Sequence, residues 1–149
     1  MITASARGDV MSFRFLLLSC IAAAFLWGAQ AAAETVRVEL NKLEDREQGS
    51  CLAYLVFENE RDQTFDTFRL DLVMFDQDGI IARRLALAAG PLHAGKTVVK
   101  MFEVGDLACD AIGRILLNEV SECEVANGDT PDCTAVTRAT QRTEVPFDM

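Results

Sequence analysis

The chain has 149 residues, half of them hydrophobic, and a formal net charge of −9. An acidic surface of this kind repels nucleic acid and anionic lipid, both of which favour a cationic footprint. It permits cationic partners without specifying one, and it serves equally well to keep an exported domain soluble.

The N-terminus reads as a secretory signal with its three regions in order. Arg7 and Arg14 make a positive n-region, and the apolar run FLLLSCIAAAFLW, Phe15 to Trp27, is too short to span a bilayer comfortably. Small residues in GAQAAAET then offer A-x-A sites ending at Ala31 or Ala33. The expectation is a signal over residues 1–33, cut after Ala33, with translation starting at Met1 or at Met11. A twin-arginine signal is disfavoured because SFRFL has one arginine where two adjacent ones are needed. A lipid anchor on Cys20 is disfavoured because cutting there would leave the greasy stretch IAAAFLWGAQAAA on the product. Subtracting Arg7, Arg14 and Asp9 leaves 12 basic and 22 acidic residues, a net charge of −10 for residues 34–149. Those 116 residues, 149 less 33, suffice for one domain burying about two-thirds of its unfolded surface. With no second apolar span, no stable membrane insertion is expected.

Four cysteines then remain, Cys51, Cys109, Cys123 and Cys133. An even count in an exported chain predicts two disulfides. A zinc site competes poorly, because such sites draw ligands from close pairs and the nearest two here, Cys123 and Cys133, are ten positions apart. No C-x-x-C redox motif is present.

Alternation marks the strands in chain order. TVRVELN, Thr35 to Asn41, has one apolar face. CLAYLVFEN, Cys51 to Asn59, is apolar on both parities and reads as a central strand covered on both faces. TFRLDLVMFD, Thr67 to Asp76, alternates at first and then becomes apolar on both sides. Ile80 to Leu87, TVVKMFEV from Thr97 to Val104, and GRILLNEV from Gly113 to Val120 follow, with Gly90, Pro91 and Gly95 punctuating the loop between the first two. Glu122 to Asp132 reads as an acidic turn-rich segment, and Arg142 to Phe147 as a last edge strand, where Pro146 is tolerated. Six or seven short strands without helical periodicity predict a single all-β, antiparallel sandwich of immunoglobulin-like type over residues 34–149.

YLVFEN, followed by FDTFRLDLVMFDQDG and then LHAGKTVVKMFEV, resembles the immunoglobulin-like FxLYD-type modules of bacterial exported proteins. Phe75-Asp76 stands where such modules often carry Tyr-Asp, and LHAG replaces the commoner L-x-P-G. The chain as a whole is similar to small uncharacterised periplasmic proteins of alphaproteobacteria. The resemblance implies a fold and a periplasmic setting, and brings no catalytic residues with it.

The stretch DQDG poses a choice between a calcium loop and a turn. In calcium-loop register, Met74 and Leu85 would occupy ligand positions and can supply no oxygen. Asp-x-Asp-Gly between apolar strands is sound hairpin chemistry, with Asp capping and Gly accepting positive φ. A serine-based catalytic set would have to be built from His93 with Ser50 or Ser121, each at a strand end. Asp62, Asp66, Asp71, Asp76 and Asp78 offer carboxylate pairs, but their spacing suggests turns and solvated faces. Arg83 and Arg84 point to opposite faces of one strand, which favours an internal ion pair for one of them.

The expectation is therefore a non-catalytic periplasmic or secreted sandwich with no cofactor or metal, binding a protein partner in the cell envelope. A small carboxylate-dependent hydrolase and a soluble receptor for a cationic ligand or metal are the alternatives. Strand direction also sets the cysteine pairing. If successive strands alternate in direction, Cys51 and Cys109 emerge at one end and Cys123 and Cys133 at the other, giving Cys51–Cys109 and Cys123–Cys133.

Overall fold

A computed structural model of the chain describes residues 34–149. The expected signal, its cleavage point and Cys20 lie outside the described residues.

The strands form where side chains alternate between core and surface. β1 (Val36–Asp45) buries Val36, Val38 and Leu40. β2 (Cys51–Asn59) buries Cys51, Ala53, Leu55 and Phe57, and turns Leu52, Tyr54, Val56 and Glu58 to the other side. That second side is only half-covered, which corrects the expectation of cover on both faces. β3 (Phe65–Asp76) buries the unbroken run Leu70 to Met74, as its double-sided apolar pattern requires. β4 (Ile81–Ala88), β5 (Thr97–Val104), β6 (Ile112–Val125), β7 (Thr137–Gln141) and β8 (Phe147–Asp148) complete the described strands.

They form two four-stranded sheets, sheet A in the order β5-β2-β1-β7 and sheet B in the order β4-β3-β6-β8. One apolar layer fills the space between them, with Leu40, Leu55 and Phe57 from sheet A and Phe68, Leu72, Met74, Ile115 and Leu117 from sheet B. Placing β1, β2 and β5 in one sheet and β3 and β6 in the other is the immunoglobulin-like arrangement. The sheets are mixed rather than purely antiparallel, since β7 runs parallel to β1 and β8 parallel to β6. β7 escaped the sequence reading because TRATQ buries only Thr137 and is ordered by its pairing with β1. β6 continues to Val125, beyond the expected turn at Glu122, because it pairs with the first half of β3 as far as Phe65.

Two side chains tie the ends of the strands. Asn59, buried, donates from Nδ2 to the carbonyls of Gln63 and Leu92 and accepts from the Arg61 N–H, so every arm of its amide group is engaged. The DQDG stretch is a hairpin turn: Asp76 Oδ1 accepts from the N–H groups of Asp78 and Ile80 at 3.0 and 2.9 Å, and Gly79 has φ 77°. With both N–H groups on the Asp76 carboxylate and Gly79 in the left-handed region, the stretch is hairpin chemistry and not a calcium loop.

The disulfides are Cys51–Cys109 and Cys123–Cys133, as strand direction requires. Consecutive strands do alternate in direction, although neighbours in sequence are distributed between two sheets. The bridges close loops with sequence separations of 58 and 10. Loop-closure entropy makes the longer one worth about 4 kcal/mol and the shorter about 3 kcal/mol. Paired Cys→Ser replacement at 51 and 109 is thus expected to lower the urea midpoint more than the same change at 123 and 133. The reverse order would contradict the loop-length account.

Candidate functional site

The catalytic candidates do not assemble. Ser50 precedes β2 and His93 precedes β5, and the β2–β5 register runs from Cys51↔Val104 to Glu58↔Thr97, so the two lie at opposite ends of that ladder. Ser50 Oγ donates to Glu103 Oε1, while Ser121 Oγ donates to the Arg69 carbonyl on the outer face of sheet B. Asp62, Asp66 and Asp78 are exposed at separate points, and Asp76 is used in its turn. Among the described residues no group of three His, Cys, Asp or Glu side chains could hold a metal ion, and no helix is long and apolar enough to cross a membrane.

A shallow cleft of about 480 Å³ opens at the Cys51–Cys109 end, lined by Arg46, Glu47, Gln48, Ser50, Glu103 and Asp106 among others. Its walls are turns: Gln48 and Asp106 adopt φ 65° and 53°, conformations that cost non-glycine residues about 1 kcal/mol or more. Two of its three carboxylates have partners within the protein, Glu103 accepting from Ser50 and Asp106 lying 3.6 Å from Arg83. Arg83 also donates to the carbonyls of Gly105 and Asp106, lashing the edge of sheet B to the end of β5. The cleft is a cross-brace between sheets.

The outer face of sheet A is different in kind. On β2 and β5, the directly opposed pairs Tyr54↔Met101 and Val56↔Val99 lie side by side on the face away from the core. Val99 is 57 % and Met101 61 % exposed. Tyr54 is fixed beside Met101 by its hydroxyl, which donates to Glu44 Oε2 at 3.2 Å, and by Lys42 Nζ, 5.2 Å from its ring centre. This apolar stripe sits on an edge strand, where unpaired backbone groups accompany it. The sequence carried the signal, since TVVKMFEV is apolar on both parities, and among the described residues no further layer covers the second.

The outer face of sheet B is polar and self-satisfied over its centre, while Ile81 at the start of β4, opposite Phe75, is 62 % exposed beside the turn. Asp71, its side chain 9 % exposed, accepts from Arg84 Nε and a second guanidinium nitrogen at 2.9 and 2.8 Å, and from Asn118 Nδ2 at 2.8 Å. Of the two adjacent arginines, Arg84 thus forms the ion pair anticipated from sequence, and Arg83 points the other way. The Arg84 guanidinium, with help from the Asn118 amide, holds the Asp71 carboxyl below its ordinary range against the opposing effect of burial. Because the folded-state pKa is depressed, the stabilisation is complete above the unfolded value of about 3.9 and disappears as pH falls through the lower folded one. Asp71→Ala is expected to cost about 1–3 kcal/mol at neutral pH, by leaving charge-assisted donors unmet. The difference from wild type, read by urea unfolding, should shrink below pH 4; a pH-independent difference would contradict the assignment.

No family model matches this chain, and no curated protein matches it. Among solved structures it is similar to IrmA from Escherichia coli, with 14 % identity over 70 % of this chain and 90 % of that one and a TM-score of 0.43. It is also similar to cj0090 from Campylobacter jejuni, with 14 % identity over 59 % of this chain and 86 % of that one and a TM-score of 0.36.

Proposed function

We propose that this protein is a non-catalytic, disulfide-stapled binding module of the bacterial periplasm or extracellular space, which engages a protein partner of the cell envelope through the β5 side of sheet A. Its two disulfides belong to an oxidising, non-cytoplasmic setting. The resemblance of the Cys51 to Val104 region to FxLYD-type modules favours the same compartment. The observation that carries the reading is the exposed stripe of Val99 and Met101 beside Val56 and Tyr54. Apolar side chains aligned on an unpartnered sheet face are what a partner's side chains cover, and aromatic and Met side chains are enriched at such contacts.

The test is quantitative capture from envelope extract with three forms of the exported protein: wild type, Val99→Ser with Met101→Ser, and Arg138→Ser as a control on another strand. The expected result is one partner retained by wild type and by the control and reduced at least about tenfold by the double variant, the equivalent of about 1.4 kcal/mol. Both outward side chains are exposed, so the double variant should keep the wild-type melting temperature within about 3 °C. Equal capture by all three forms would end the proposal.

A further inference from the structure

The register of sheet A identifies which backbone groups of β5 are free. The Asn59 N–H donates to the Lys96 carbonyl at 3.0 Å, and 59 and 96 continue the β2–β5 register by one step. Hydrogen-bonded pairs alternate along an antiparallel ladder, so Val98, Lys100, Phe102 and Val104 bond to β2. Thr97, Val99, Met101 and Glu103 therefore direct their N–H and C=O groups away from the sheet. The residues with outward side chains and those with free backbone groups are the same.

The side chains along this edge also carry a charge pattern. Lys100 lies on the core-facing side of β5, opposite Leu55 and between Val98 and Phe102. A cation in that position guards an edge strand against indiscriminate pairing. The neighbouring edge, β4, has an equivalent in Arg83, opposite Met74, but that guanidinium is satisfied by Asp106 and two backbone carbonyls. Among the described residues no carboxylate is ion-paired with Lys100. On the outer side the stripe ends at Glu103.

A second copy of the chain does not fit this edge. In a twofold antiparallel pairing, opposed residues share a face and hence a parity, so Lys100 can never oppose Glu103. Centring the pair on Lys100 opposes like charges, and centring it on Val99 or Met101 sets Lys100 against Val98 or Phe102. Residues 34–149 of two copies, each segment of net charge −10, also repel each other.

Resting on the proposed protein-binding role, we infer that the occupant of the β5 edge is an extended segment of a different protein, added antiparallel as a fifth strand of sheet A. Its main chain bonds to Val99 and Met101. Read from its N-terminus, it presents a basic residue to Glu103, apolar residues to Phe102 and Met101, a carboxylate to Lys100, and apolar residues to Val99 and Val98. The backbone bonds supply affinity, and the two charges fix register and exclude other strands.

The probes are two blocked synthetic peptides, Lys-Val-Ile-Glu-Val-Val and its sign-inverted form Glu-Val-Ile-Lys-Val-Val, titrated into the isotope-labelled exported protein. Amide shifts are followed by NMR. The first peptide is expected to move the Val99 and Met101 amides and to bind at least about tenfold tighter than the second. Lys100→Glu alone should level the two peptides, and Lys100→Glu with Glu103→Lys should reverse the preference. Met101→Pro removes an outward N–H without touching the bonds to β2, a position where an edge strand tolerates proline. It should abolish binding of both peptides while the rest of the spectrum remains folded; Met101→Ala, which keeps the N–H, should retain peptide binding.

Failure of wild type to bind either peptide, equal binding of both, or binding that survives in a folded Met101→Pro protein would overturn strand addition. If the envelope partner is still lost on Val99→Ser with Met101→Ser, the protein-binding reading stands without it. If capture is indifferent to that change as well, both readings fall together.

Discussion

A sandwich of two sheets has one apolar layer to share, and each strand can give it only every second side chain. That constraint sets the rest of this molecule. It puts Cys51, Ala53, Leu55 and Phe57 inside and leaves Leu52, Tyr54, Val56 and Glu58 with nowhere to be buried. It also leaves four edges, since two open sheets cannot pair all their strands. What distinguishes the protein is how these exposed faces and edges are managed.

Over the centre of sheet B the outer face is closed by polar chemistry, leaving Ile81 exposed at the β4 turn. Asp71 gathers Arg84 and Asn118, Arg69 reaches Glu122 at 3.3 Å, and Arg114 lies over the Phe75 ring while binding Asp148. On sheet A the β1 half is treated the same way, with Arg37 paired to Glu58 and Arg142 to Glu39. The β5 half is not. There the charges withdraw to Lys100 on one side and Glu103 on the other, and Val99 and Met101 stand between them at the edge.

Most of the fold was legible in the sequence because burial on one face writes itself as alternation. β1 and the first half of β3 could be read that way, and strand direction then placed the four cysteines in the right pairs. Where pairing rather than burial orders the chain, the sequence was silent. TRATQ is a strand because β1 lies beside it, and the acidic residues Glu122 and Glu124 are in β6 because β3 is long enough to pair with them. The candidate site was missed for a related reason. Apolar residues on both parities of β2 read as two-sided cover, yet the second side faces no layer among the described residues. The carboxylates and serines singled out for catalysis proved to be turn caps, ion-pair members and exposed residues, which composition alone could not sort.

The account depends on β5 being an open edge with a definite phase, and amide hydrogen exchange of the free protein measures that most directly. If Val98, Lys100 and Phe102 bond to β2 while Val99 and Met101 face outward, the first three amides should be protected and the other two should exchange at least about a hundredfold faster, the span between local and deeper opening. Protection of Val99 and Met101 comparable to that of their neighbours would mean the edge is already covered, and would contradict the assignment of β5 as the binding surface.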